Sequence, residues 1–147
     1  MENVLDKQWF ELATLYPGSR SILSFCKKSG LLTTLVCNGS TDTKKVLKQL
    51  DIDKYFDYVV ISEEVGHEKS DLVPFKLVLQ KFHIKSADCL MVGNRADEDL
   101  KAKKVGIKTC LVEYFKFPNV GKPEKPDFKI KDIRELKRII EKLTKSS

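Results

Sequence analysis

Short β-branched, apolar runs at residues 33–37, 58–61, 89–92 and 108–112 alternate with stretches whose apolar residues recur at helical spacing. This alternation constrains the chain more than any other feature. Parallel strands need a helical crossover between them, so the pattern implies an α/β architecture with a mainly parallel sheet flanked by helices. After the first run, the polar turn Asn38-Gly39-Ser40-Thr41-Asp42 leads into a helix carrying Val46, Leu47 and Leu50. Asp71 is placed to cap a helix with Pro74 in its first turn and Phe75, Val78, Leu79 and Phe82 on one face. A Lys-rich helix from about residue 98 to 105 is expected to stop at Gly106. Beyond the last run come a Pro- and Lys-bearing loop over 117–126, an extended piece over 127–130, and an amphipathic helix turning Ile133, Leu136, Ile140 and Leu143 inward. The front of the chain differs. Residues 1–13 read as helical, Tyr16-Pro17-Gly18 leads to a second helix over 19–29 packing through Ile22, Leu23, Phe25 and Cys26, and nothing ahead of Thr33 reads as a strand.

With 147 residues, the chain is expected to form a single domain that buries roughly 70% of its unfolded surface. Apolar residues at 41% and charged residues at 33% exclude a disordered chain. No apolar run approaches the roughly 20 residues of a membrane helix, and the N-terminal residues lack the pattern of a secretory signal, so a cytoplasmic location is expected. The net charge of +6 permits anionic partners. Arginine is sparse, however (Arg20, Arg95, Arg134, Arg138), and base-edge reading leans on the arginine fork, so nucleic-acid recognition is not expected. The Lys101, Lys103, Lys104 and Lys108 cluster reads as a solvated face. Cys26, Cys37, Cys89 and Cys110 are widely separated, which implies neither a zinc site nor disulfides.

Open parallel sheets place ligands at the carboxyl ends of their strands, so the strand-exit loops are where chemistry is expected. Four stretches matter there. They are Leu15-Tyr16-Pro17-Gly18; Leu35-Val36-Cys37-Asn38-Gly39-Ser40; Ile61 to Gly66 with Lys69-Ser70-Asp71 and Phe75; and Met91-Val92-Gly93-Asn94 through Asp99 with Gly106-Ile107-Lys108-Thr109. In this order and spacing, from Leu15 to about Leu143, they resemble the haloacid dehalogenase-like (HAD) hydrolase superfamily. The resemblance implies a Rossmann-like parallel sheet and Mg²⁺-dependent phosphoryl transfer from a phosphorylated small molecule to an aspartate. It also implies roles. Cys37, Asn38 and Gly39 correspond to the phosphate-binding positions, Lys69 to the catalytic lysine that neutralises phosphate and nucleophile, and Asn94 and Asp99 to the metal side. The charge on the transferred group must be met by a cation, a lysine and fixed donors.

The chain also departs from that pattern. The DxDxT strand that supplies the nucleophile is absent, since the one D-x-D, Asp51-Ile52-Asp53, follows a helix and reads as a connector. Cys37 exchanges a hydroxyl for a weak thiol donor. Asn94 removes a negative charge from a site meant for a hard dication. The stretch from Asp99 to Gly106 is one residue short of the pattern, so Asp97 or Glu98 could take the acidic role instead. A thiolate role for Cys37 is not supported, because Thr43 stands where a cysteine-phosphatase loop needs arginine. His67 reads as a loop residue at the mouth of the site and His83 as a capping or surface residue. The missing strand is central in the family's sheet, so the two strands beside it must pair directly or borrow a strand. Residues 1–14 are then a remnant of a cap or a leading helix. The expectation is a phosphatase-type HAD core, truncated or degenerate and inactive alone in phosphate-ester hydrolysis. The alternatives are a non-catalytic binding or interaction module, a homo-oligomer, or one part of a split phosphatase completed by a strand-donating partner.

Overall fold

The computed structural model describes residues 15–113 and 123–145. The helix expected over 1–13 and most of the 117–126 loop lie outside them. Helix α1 (Ser19–Lys28) precedes β1 (Thr34–Cys37), α2 (Asp42–Gln49), β2 (Tyr58–Ile61), a single turn α3 (Ser62–Val65) and α4 (Val73–Phe82). Then follow β3 (Leu90–Gly93), a 3-10 helix (Asp99–Val105), β4 (Lys108–Val112), β5 (Phe128–Ile130) and α5 (Leu136–Lys145). Every expected strand is present, and every ladder is parallel. Among the described residues, no helix is long and apolar enough to cross a membrane.

The sheet is in two pieces. β1 pairs with β2, with Thr34 opposite Tyr58 and Cys37 opposite Ile61. β3, β4 and β5 form a second sheet in that order. The direct pairing of β1 with β3 that would close a missing central strand does not occur. Two apolar clusters fill the interior instead. One joins Ile22 of α1, Cys110 and Val112 of β4, Ile130 of β5 and Leu136, Ile139 and Ile140 of α5, with Leu90 and Val92 packed against it. The other centres on Phe75, Ala102 and Ile107, and takes Val36 from β1 and Met91 from β3.

Local chemistry explains most element ends. Asp132 accepts the Arg134 N–H while Glu135 reaches back to the Asp132 N–H, a capping box that starts the last helix. Ile139, which the inward set had omitted, is buried there, and Leu143 is only half-buried. Asp71 accepts the Val73 N–H at 3.1 Å, but the residue flanking α4 is Leu72, in left-handed backbone at φ 70°. The helix expected over about 98–105 winds as a 3-10 helix over 99–105 and stops at Gly106, φ 89°. The Asp51 to Asp53 connector is as read, passing into a 3-10 turn over Asp53–Tyr55.

Cys110 is fully buried in β4, and burial first, then the nearby Glu135, pushes its thiol up from 9.0 to about 11. Between those values the folded chain keeps a proton that the unfolded chain has lost, so stability falls as pH rises through the window. Thermal unfolding from pH 8 to 11 is expected to lose about 2 kcal/mol more in the parent chain than in Cys110→Ala.

Candidate functional site

The carboxyl ends of β1 and β3 come together through side chains rather than through a ladder. Past β1, the Asn38 amide oxygen accepts the Lys69 backbone N–H at 3.0 Å. That bond fixes a 3-10 turn, Lys69–Asp71, whose lysine side chain turns inward. Its Nζ lies 2.6 Å from Asp99 Oδ1, with Lys69 8% and Asp99 3% exposed. The second Asp99 oxygen accepts the Arg95 N–H at 3.0 Å. Asn38, Lys69 and Asp99 thus form one connected chain across the two half-sheets. A buried ion pair gives up hydration on both ions and is held by mutual attraction plus further hydrogen bonds, so losing either member leaves a stranded charge.

Of the three acids at this turn, only Asp99 faces Lys69. Asp97 is clasped by the Arg95 guanidinium, Nε at 3.0 Å and Nη2 at 2.8 Å, which holds its carboxyl below the usual carboxylate range. Glu98 lies 3.8 Å from the same Arg95. Asn94 follows Gly93 at the end of β3, half-buried. Gly93 is required by space, because a Cβ there would stand 2.1 Å from Asp99 Oδ2. Gly93→Ala is therefore expected to displace the Asp99 carboxylate and cost about 1–3 kcal/mol, read from urea unfolding.

The β1 exit loop is pinned from another side. Gly39 N–H donates to Ser62 Oγ at 2.9 Å, and the Ser62 hydroxyl donates back to the Gly39 carbonyl at 3.2 Å. Thr41 N–H donates to Glu63 at 2.8 Å. The Gly39 amide, aligned by resemblance with a phosphate donor, is thus engaged within the fold. Cys37 Sγ lies 3.8 Å from Thr43 Oγ1. His67 Nδ1 lies 2.9 Å from Asp71 Oδ2 at the exposed rim. The Lys-rich face has local partners, Lys103 on the Lys125 carbonyl and Lys108 on the Ala87 carbonyl.

Ser62, Gly93 and Arg95 stand inside the stretches that the sequence singles out, but their own roles were not read from it. Ser62 and Arg95 each stand within two residues of a strand's end, the one positional signal that could have marked them.

The donor set does not fit a magnesium ion. Among the described residues, no three His, Cys, Asp or Glu side chains converge where a metal could sit. Of the two positions that the resemblance puts on the metal side, Asn94 is neutral and Asp99 already has one oxygen on an ammonium and the other on an amide. A hard dication seeks several oxygens, most of them anionic.

Comparison with known proteins places this geometry in context. A family model described as haloacid dehalogenase-like hydrolase matches residues 3–106. The glyceraldehyde 3-phosphate phosphatase of Pyrococcus furiosus is 32% identical over 131 residues, covering 86% of this chain and 54% of the relative. A phosphoglycolate phosphatase of Pseudomonas fluorescens is 29% identical over 130 residues, covering 86% and 47%. The chain spans about half the length of these curated relatives. Among solved structures, a HAD phosphatase from Thermococcus onnurineus superposes with a TM-score of 0.81 at 22% identity, covering 92% of this chain and 62% of that one, a likeness of fold.

Proposed function

Since the chain belongs to the haloacid dehalogenase-like hydrolase family, we propose that it is the core of a phosphatase-type enzyme that cannot hydrolyse phosphate esters by itself. The observation that carries this reading is the Lys69–Asp99 pair. It lies at the strand ends where the resemblance puts the chemistry, and each of its carboxylate oxygens already has a partner. A nucleophile must be positioned and available. Asp97 is clasped by Arg95 and Asp99 by Lys69 and an amide, so neither carboxylate at this turn meets that requirement. What the chain retains is Lys69, an anion-neutralising cation fixed in place by Asn38, and Cys37 in the phosphate-side loop. A phosphorylated small molecule is the ligand class this suits. The chain alone is expected to show no turnover of p-nitrophenyl phosphate above background with or without Mg²⁺. Turnover abolished by Lys69→Met would overturn the reading.

A second reading, a non-catalytic binding or interaction module, is favoured by one specific observation. The Gly39 amide points to Ser62 instead of outward. Ser62→Ala frees that amide, and ³¹P line broadening of inorganic phosphate separates the readings. Gain of phosphate binding in the variant supports a retained phosphate site, and an unchanged spectrum supports the module.

A further inference from the structure

We infer that His67 and Asp71 form a proton-operated brace on the Lys69 turn, which holds the lysine more firmly on Asp99 when His67 is protonated and slackens when it is not. The inference rests on the reading of Lys69 as the retained anion-neutralising group, and it adds a regulation of that same site.

The first observation is strain beside the lysine. Leu72 has φ 70°, a left-handed backbone in which the side chain crowds the following carbonyl. Such a conformation persists only where its surroundings over-determine it. The Leu72 N–H donates to the Lys69 carbonyl at 3.1 Å, and the Lys69 N–H donates to the Asn38 amide oxygen at 3.0 Å. The lysine backbone is thus held on one side by the β1 exit loop and on the other by a strained residue.

The second observation is what holds that strained residue. Asp71 Oδ1 accepts the Val73 N–H at 3.1 Å, a bond that spans Leu72. Asp71 Oδ2 lies 2.9 Å from His67 Nδ1, and His67 directly follows Gly66, where α3 ends. One carboxylate therefore ties the end of α3 to the start of α4, with Lys69 in the loop between them. Its outer partner is a titratable ring.

The third observation concerns charge. The His67 side chain is 48% exposed and that of Asp71 45%, so solvent protons reach the ring. Partial burial pushes the Asp71 carboxyl up, but the bonds from His67 and the Val73 N–H outweigh it and hold the carboxyl below the usual carboxylate range. The carboxylate thus keeps its charge while histidine changes its own, as that side chain does between about pH 5 and 8. A neutral ring with its hydrogen on Nδ1 still donates to Asp71, and a second proton turns the bond into a charge-assisted one. The brace is accordingly tight below the histidine range and loosens as pH rises through it. The turn packs against α4 and the 3-10 helix over 99–105. The charged groups around it are Glu68 and Lys69 on its own segment, Glu63 and Glu64 on α3, Lys76 on α4, and Asp99 on the 3-10 helix. Lys69 faces Asp99, Glu64 faces Lys44 at 3.0 Å, and Glu63 accepts the Thr41 N–H. Histidine is the side-chain type in this set whose ordinary titration falls near neutrality.

The test is amide hydrogen exchange on the full 147-residue chain, corrected for the intrinsic rate at each pH. Protection of the Lys69, Leu72 and Val73 amides is expected to be about two- to fivefold higher at pH 5.5 than at pH 8, the range an exposed ion pair supplies. His67→Gln keeps a neutral donor and is expected to stay flat near the parent's pH 8 level. His83→Asn removes the second histidine while suiting its left-handed backbone, φ 52°, and should keep the parent's profile. The gain at pH 5.5 should shrink in 1 M salt, as exposed charges are screened. A flat parent profile, protection that rises with pH, or an unchanged slope in His67→Gln would overturn the brace. So would loss of the slope in His83→Asn, which would assign it to the other histidine. NMR titration gives a check that needs no variant, since the Val73 amide shift is expected to follow the His67 ring with one midpoint, and separate midpoints would also count against the brace. No phosphate ester enters these measurements. Failure of the brace therefore leaves the reading of the site intact, whereas p-nitrophenyl phosphate turnover by the chain alone removes that reading and leaves the brace standing.

Discussion

Replacing Lys69 with methionine is expected to lower the unfolding free energy by about 3–5 kcal/mol, a large share of the total stability of a domain this size. Methionine keeps most of the side-chain volume and removes the charge together with its donor hydrogens. Asp99, 3% exposed, then keeps a single amide donor for a full negative charge. The double variant Lys69→Met/Asp99→Leu is expected to regain most of the loss, because removing both charges also removes the cost of burying them. Urea unfolding at pH 7 distinguishes these effects by midpoint at constant slope. A single-variant loss below about 1 kcal/mol would mean that the pair behaves as an exposed one and does not hold the half-sheets together.

Phe75→Ala is expected to be similarly severe, about 3–5 kcal/mol. The ring is 1% exposed and belongs to the apolar cluster against which Val36 of β1 and Met91 of β3 both pack. Because the sheet is not continuous above it, the surrounding strands have no ladder holding them in place across the gap. The variant is expected to shift the ¹⁵N–¹H resonances of both β1 and β3 as well as lower the midpoint. Perturbation confined to α4 would show that the ring serves its own helix only.

The strands were legible because their chemistry is local. Runs such as Tyr58-Val59-Val60-Ile61 carry β-branched residues bounded by polar turns, and no other element accommodates them as well. The 3-10 winding after Asp99 was not legible, since Asp99 and Ala102, three positions apart, are buried at a spacing that suits an α-helix as well as a 3-10 helix. Ile139 was missed because neighbouring Ile140 alone satisfies the helical period. At the site, sequence order placed Lys69 after the second strand and Asp99 after the third but could not show that they meet. Thirty positions separate them, and lysine is among the residues least often buried. The Ser62 bond to Gly39 is equally long-range, 23 positions, and it redirects an amide that local sequence leaves free to point outward. Among the described residues, 15–33 hold a helix and no strand, as the sequence reads. What the chain does about it, keeping two half-sheets rather than joining them, depends on packing around Phe75 and on an ion pair, neither of which has a local signature.

The divided sheet also bears on how the protein is made. β1 and β2 come from residues 34–61, and β3, β4 and β5 from residues 90–130. Each half-sheet is therefore closed by its own neighbours along the chain, and neither waits on a distant strand to begin. Contacts that are short along the chain form early, whereas joining the halves through Lys69 and Asp99 closes a longer loop. On a ribosome, the residues of the first half-sheet are made before those of the second, and the ion pair can form only once Asp99 has followed.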